Sequence, residues 1–453
     1  MHPLARSLAA ACALVVVAAA TPASAQSVLR DAETEAMLAE MSAPLITAAG
    51  LSPRDVKIVL VNDQSINAFV AGGQTVYVNS GTILAADSAN EVQGVIAHEI
   101  GHITGGHVAL ADRMGKEPMG ISLLSMVIGL AAMAAGGGEA GAGILAAGQQ
   151  AAMGKYLAFS RAQEASADAA GATYLNGANV TGRGYLSFFK KMQQLEYRYG
   201  INRKVGYMLD HPVSSERIAN LTQTMQTAPA WNKPLDAPLE ERFKRVKAKL
   251  AGYVLDPEDT LKRYPLSDQS IYAHYARAYA YHKGGFPDRA DAEAAALVLA
   301  KPEDPYFEEI QGQILLEAGK PKEALTPLRN ATEGSRNNPL IATTLGHALI
   351  ATEDKKNLPE AIGVLRVATQ RDDDNPWAWM QLGTAYEMTG DTARAALATA
   401  ERAQMTGDQR TAVQSAKYAL ANIPAGTSDW LRAQDIAMTS GDAAAAERKK
   451  KRR

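Results

Sequence analysis

His98-Glu99-Ile100-Gly101-His102 decides how this chain is read. The residues just before it, Val92 to Ala97, are mostly apolar and contain no proline, so a helix is expected from about Ser88 to beyond His102. Four residues advance about 400° on an α-helix, which puts the two imidazoles on one face, one turn apart. So placed, they can hold Zn²⁺ together, and Glu99 beside them can take a proton from a water whose pKa the ion lowers toward ~7. The helix reads as largely buried, where paired histidines need a reason.

A catalytic zinc needs a third protein ligand. His107 is close in sequence, but if the helix continues it lies about 140° around from His102. It reads as a packing or surface residue. A second candidate lies downstream, in Ser160 to Asp168 (SRAQEASAD), a helical stretch of small residues. Glu164 and Asp168 are four apart and share a face. One carboxylate can ligate the metal, and the other can accept the free N–H of a ligating histidine.

These two motifs in this order resemble the M48 family of zinc metallopeptidases, and within it the periplasmic branch with a C-terminal tetratricopeptide domain. Asn67-Ala68-Phe69, Gly72-Gly73 and Val76-Tyr77-Val78 are similar to the family's segment before the zinc helix. His211-Pro212 with Glu216-Arg217 is similar to its later H-P-x-x-x-E-R element. The resemblance implies one zinc ion on His98, His102 and Glu164, with Glu99 as base and acid and Asp168 supporting a ligand from behind. It places His211 on a mobile loop that can approach the zinc and keep the enzyme latent, or stabilise the oxyanion after moving. Arg217 either stabilises an oxyanion or pairs with a carboxylate. Ser166 stands where the family commonly has an acidic residue, which alters the surroundings of the site but not the ligands. The block 121–134 resembles a lid, with the glycines at 136–138 letting it move.

Outside the motifs, Arg6, the apolar run Ser7 to Ala20, and Ala23-Ser24-Ala25 read as a cleavable signal peptide over 1–25. Its removal takes away Cys12, the only cysteine, so no disulfide or thiolate site is expected. With 46 basic and 48 acidic residues the net charge is −2, and no global field points to nucleic acid. Val56 to Val61 and Thr75 to Val78 read as strands, the second as a hairpin or edge. It would pair with an extended substrate by β-augmentation, with Asn67, Ala68 and Phe69 beside it. Prolines 229, 234 and 238 mark a linker.

Trp379-x-x-Leu382-Gly383-x-x-Tyr386 matches the opening of a tetratricopeptide repeat. Ala290, Ala324, Ala361 and Ala395 follow its period, as do Gly312, Gly346 and Gly383, and Pro305, Pro339 and Pro376. Lys355 to Asn357 falls where a three-residue excess must be absorbed. His274, His282 and His347 read as packing or surface residues. The expected fold is an α+β zincin-type metallopeptidase domain, mostly helical with a small sheet, followed by an all-α tetratricopeptide solenoid. The expected boundaries are a peptidase domain at 26–227, a linker and connecting helix at 228–269, repeats at 270–440 and a basic tail at 441–453. The expected activity is endopeptidase cleavage of unfolded or misassembled outer-membrane proteins, with the repeats docking onto the assembly machinery. The alternative is an assembly factor acting by repeat binding over a latent zinc site. Peripheral membrane contact is expected through 121–134 or the tail.

Overall fold

The computed structural model describes residues 28–107, 125, 138–199 and 211–451. The stretch 1–25 read as a signal peptide, the block 121–134 apart from Ser125, and the last two residues of the stretch read as a basic tail lie outside them. The first helix, α1 (Ala32–Ala48), starts at Asp31, whose carboxylate accepts from the Thr34 N–H at 2.7 Å. β1 (Lys57–Val61), β2 (Ala68–Ala71) and β3 (Thr75–Asn79) form one sheet in the order β1-β3-β2. β1 runs parallel to β3, and β2 runs antiparallel to it. Gly72 and Gly73 close the β2–β3 hairpin at φ +62° and +96°, a region open to glycine. Ala68, Val76 and Val78 face the core, while Phe69 and Tyr77 stack 5.1 Å apart on the opposite face.

This topology corrects one expectation. β3 is the central strand and both its edges are hydrogen-bonded, so Thr75–Val78 cannot add a substrate strand. The hairpin itself is present, but β2 forms its outer edge. The far end of β1 is met by the N-terminal segment, through a Val28–Val61 bridge and a Leu29 N–H to Leu60 O bond.

α2 (Ser80–Ala85) leads into α3 (Ala89–Thr104), the helix of the paired histidines. Ser88 caps α3 by accepting from the Glu91 N–H at 3.2 Å, and Glu91 accepts from the Asp87 N–H at 2.9 Å. Every residue from Ala89 to His102 is buried. Against α3 pack α4 (Gly138–Gly177) and α5 (Arg183–Tyr199), and against these two packs α6 (Ser215–Gln226), followed by a 3₁₀ turn (Pro229–Asn232) and α7 (Ala237–Val254).

α7 falls in the stretch read as linker and connecting helix, yet it is part of the peptidase core. Leu239, Phe243, Val246, Leu250 and Val254 are buried in the same apolar cluster as Val92, Val95 and Ile96 of α3. The Glu240 carboxylate also reaches the start of α3, accepting from the Ala89 N–H at 3.0 Å and the Asn90 N–H at 3.3 Å. A carboxylate there satisfies orphan donors and meets the positive end of the helix dipole.

The rest is an array of helix pairs. A short helix, α8 (Pro257–Arg263), precedes α9 (Ile271–Lys283) and α10 (Pro287–Ala300). Then come α11 (Pro305–Glu317) with α12 (Pro321–Gly334), α13 (Pro339–Ala351) with α14 (Leu358–Arg371), and α15 (Pro376–Thr389) with α16 (Thr392–Met405). α17 (Gln409–Asn422) and α18 (Ser428–Lys451) close the array. Asp304, Asn338 and Asn375 cap α11, α13 and α15, each with proline in the first turn, as the proline spacing predicts. Lys355–Asn357 forms a 3₁₀ turn that takes up the excess residues. Within the pairs, a Cβ on Gly312 or Gly346 would lie 2.5 or 2.4 Å from Leu328 or Leu365, so small residues set the helix spacing. The chain is thus an α+β peptidase domain joined to a tetratricopeptide-type solenoid. No helix of the described residues is long and apolar enough to cross a membrane.

Replacing Glu240 with alanine should remove about 1 kcal/mol of stability. Urea unfolding of wild type and Glu240→Ala measures it, and an unchanged midpoint would show that the cap contributes nothing.

Candidate metal centre

Gly101 explains how the two halves of the site meet. A Cβ on Gly101 would sit 2.6 Å from the Ala167 carbonyl oxygen of α4, and one on Gly171 would sit 3.1 Å from the Ala97 backbone of α3. The two helices therefore cross with backbone almost against backbone. That closeness carries the carboxylate of Glu164 to the imidazoles of α3. His98 Nε2 and Glu164 Oε2 are 3.3 Å apart, and His102 Nε2 and Glu164 Oε1 are 3.4 Å apart.

His211, at the start of the described segment before α6, joins them. Its Nδ1 lies 3.2 Å from His98 Nε2 and 3.0 Å from Glu164 Oε1, and the two Nε2 atoms of His98 and His102 are 3.1 Å apart. All four residues are buried, and their ligand atoms lie within 4.8 Å of one another. Tetrahedral donors at about 2.0–2.1 Å from a zinc ion stand about 3.3–3.4 Å from each other. Five of the six edges, at 3.0–3.4 Å, are close to those of such a tetrahedron, and the sixth, between His102 and His211, lies within 4.8 Å. Donors of nitrogen and oxygen without sulfur suit zinc and other borderline divalent ions.

A second ring of contacts orients the ligands. Asp168 Oδ1 stands 3.0 Å from His98 Nδ1 and accepts from the Tyr185 hydroxyl at 2.8 Å. With Nε2 toward a metal, His98 carries its proton on Nδ1 and donates to Asp168. Arg217 fixes Asp168 in turn, with Nε to Oδ2 at 2.7 Å and Nη2 to Oδ1 at 2.8 Å. Its Nη1 reaches Glu164 Oε2 at 3.0 Å and the Pro212 carbonyl at 2.7 Å. Of the two roles open to Arg217, the geometry is that of carboxylate pairing. Each guanidinium nitrogen is engaged by Asp168, Glu164 or the Pro212 carbonyl.

Burial works against the charged form of His98, but Asp168 and Glu164 outweigh it and push the imidazole up to about 9. Burial alone would raise the carboxyls of Glu164 and Asp168. The histidines hold Glu164, and Arg217 with His98 hold Asp168, well below the usual range, Asp168 near about 2. Burial and the neighbouring His98 and His211 push His102 down to about 2, so it stays neutral, as a ligand must. The pocket is built around negative charge that a cation would balance. Glu99 is fully buried on the same helix, with Oε1 at 3.5 Å from His211 Nε2.

Two contacts were not foreseen. His107 is no ligand, but it does not face away. α3 stops at Thr104, Gly105 caps it, and Gly106 at φ +62° turns the chain back. His107 Nδ1 then meets His102 Nδ1 at 2.9 Å. The glycine pair was the available signal for that turn. Tyr185 reaches the site because Gly94 on α3 leaves room for it, a Cβ there lying 2.6 Å from the Tyr185 backbone. Nothing in the local sequence around Tyr185 announces it.

A buried helical H-E-x-x-H completed by a glutamate from α4 defines a metallopeptidase. Residues 30–225 match the model of Peptidase family M48. The beta-barrel assembly-enhancing protease of Escherichia coli (strain K12) is 27% identical over 379 residues, covering 80% of this chain and 70% of that protein. Metalloprotease LoiP of the same organism is 31% identical over 176 residues, 38% of this chain and 63% of its own. Among solved structures, YrrB, described as a TPR protein with an unusual peptide-binding site, superposes with a TM-score of 0.32 at 22% identity. That match covers 39% of this chain and 91% of the other.

Gly101→Ala tests the crossing. In an open helix this change would stabilise by up to ~1 kcal/mol. Here it should cost the bound metal and the activity while helical circular dichroism persists; full metal content would refute the account. Asp168→Asn should weaken metal affinity by about 10–100-fold, read by competition with a chromogenic chelator.

Proposed function

We propose that this chain is a periplasmic zinc-dependent endopeptidase that cleaves unfolded or misassembled outer-membrane proteins and rests in a latent state. The observation that carries the reading is the fourth donor. His98, His102 and Glu164 supply the three ligands of a catalytic site, and His211 Nδ1 occupies the position an open site leaves for water or substrate. When bound, zinc supplies Lewis acidity and a water of lowered pKa. Glu99 is the proton carrier: it takes the proton of the attacking water and delivers it to the leaving amine. Asp168, Arg217, Tyr185 and His107 keep the ligands in their working orientation and need not touch substrate.

His211 and Glu99 are neighbours, so withdrawal of His211 opens the ligand position and the space beside the base in one movement. After that movement His211 can serve as an oxyanion donor. An unfolded chain can lie along β2, the outer strand of the sheet, with Asn67, Ala68 and Phe69 at its start. This selects extended segments over folded ones. The repeats dock substrate or the outer-membrane assembly machinery, a reading supported by the likeness to a protease whose name records assistance to β-barrel assembly. The block 121–134 and the basic tail are the segments suited to peripheral contact with a membrane surface.

Casein degradation by the chain from Gln26 tests the proposal. Wild type should carry about one zinc per chain, and Glu99→Gln should lose activity by about 100-fold or more. His211→Ala should keep the metal and cleave faster than wild type. Zinc present with no cleavage by any variant would favour the assembly-factor reading, in which the repeats bind and the site stays closed.

A further inference from the structure

The inner face of the repeat array encloses a cavity of about 470 Å³. The segment Leu29–Ala32 and α7 close one side, and α11, α13 and the start of α15 form the other. Its charged groups are unequally engaged. Arg30 pairs with Glu35 at 2.6 Å and Asp372 at 3.0 Å. Lys249 pairs with Asp31 and lies 3.7 Å from Glu33. Glu317 accepts from His282 and Gln313, both at 2.9 Å.

Glu309 differs. Its Oε2 is buried and has no hydrogen-bond partner. Burial pushes this carboxyl up to about 7 against the pull of nearby Lys249. Lys249 and Arg245 are already shared among Asp31, Glu33 and Asp304, so with Glu309 the cluster holds four carboxylates and two cations. Carboxylates outnumber cations here, and an anionic guest would deepen the surplus. At its rim stand two aromatic residues, Tyr253 and Trp377, 46% and 45% exposed. The Trp377 ring is held edge-on by His347 at 5.3 Å. An aromatic rim above a buried carboxylate suits an ammonium or guanidinium whose aliphatic stem lies along the rings.

We propose that this cavity is a binding site for a lysine or arginine side chain presented by an extended polypeptide. Only the polypeptide nature of the guest rests on the docking role proposed above for the repeats. The preference for positive charge rests on Glu309 and its surroundings. The site lies apart from the metal cluster, so occupancy and cleavage are separable.

The test uses the full chain carrying Glu99→Gln, so that probes are not cut. Dye-labelled Gly/Ser peptides with one central lysine, arginine, glutamine or glutamate are titrated by fluorescence anisotropy. The lysine and arginine peptides should bind at least about fivefold more tightly than the glutamine peptide. Added Glu309→Gln or Trp377→Ala should bring them down to its level. Glu309→Gln replaces a carboxyl whose buried Oε2 has no hydrogen-bond partner, so its melting temperature should not fall, which separates lost binding from lost folding. Equal binding of the lysine and glutamine peptides, a preference for glutamate, or indifference to Glu309→Gln overturns the site. Casein cleavage by the Glu309→Gln chain with Glu99 intact reports on the peptidase reading independently.

Discussion

Where α3 crosses α4, two glycines bring backbone against backbone, and the metal centre follows from that contact. Three ligands must converge within one ion's coordination sphere, and two of them sit on a different helix from the third. With side chains at Gly101 and Gly171 the helices would stand further apart, and the short reach of a glutamate would not bridge the gap. The glycine within His98–His102 is thus as much a part of the ligand set as the histidines. It contributes no donor, but it fixes the distance at which Glu164 becomes one.

Charge sets the next level of order. Glu99, Glu164 and Asp168 lie in a pocket closed to solvent, where uncompensated carboxylates are costly. Arg217 compensates part of this, bound to both Asp168 and Glu164. The remainder falls to His98 or to a metal ion. The same imbalance that raises His98 makes the cluster a strong cation site.

The sequence carried the members of the cluster plainly, because a spacing of four residues is enough to place His98 with His102 and Glu164 with Asp168 on common faces. The repeat architecture was equally legible in the recurrence of alanine, glycine and proline. What escaped depended on contacts between distant segments. Strand order cannot be read from strand content, so Thr75–Val78 looked available when β1 and β2 in fact flank it. His107 was placed by assuming that α3 continues, whereas Gly105 and Gly106 end it. The prolines at 229–238 mark a bend in the path and say nothing about whether the next helix is loose or packed. Phe243 and Val246 decide that by burying themselves beside α3.

α7 has a wider consequence. One flank carries the apolar side chains that complete the peptidase core, and the other meets α9 so closely that a Cβ on Gly252 would lie 2.3 Å from the Ala276 carbonyl oxygen. A helix shared by two cores couples their unfolding. The catalytic half cannot melt without stripping the array of its inner wall, and the array cannot be cut away at the proline-rich stretch without opening the catalytic half. Proteolytic nicking at the proline-rich stretch would therefore strip α7 from the catalytic half, so a cut there destroys that half and does not release it.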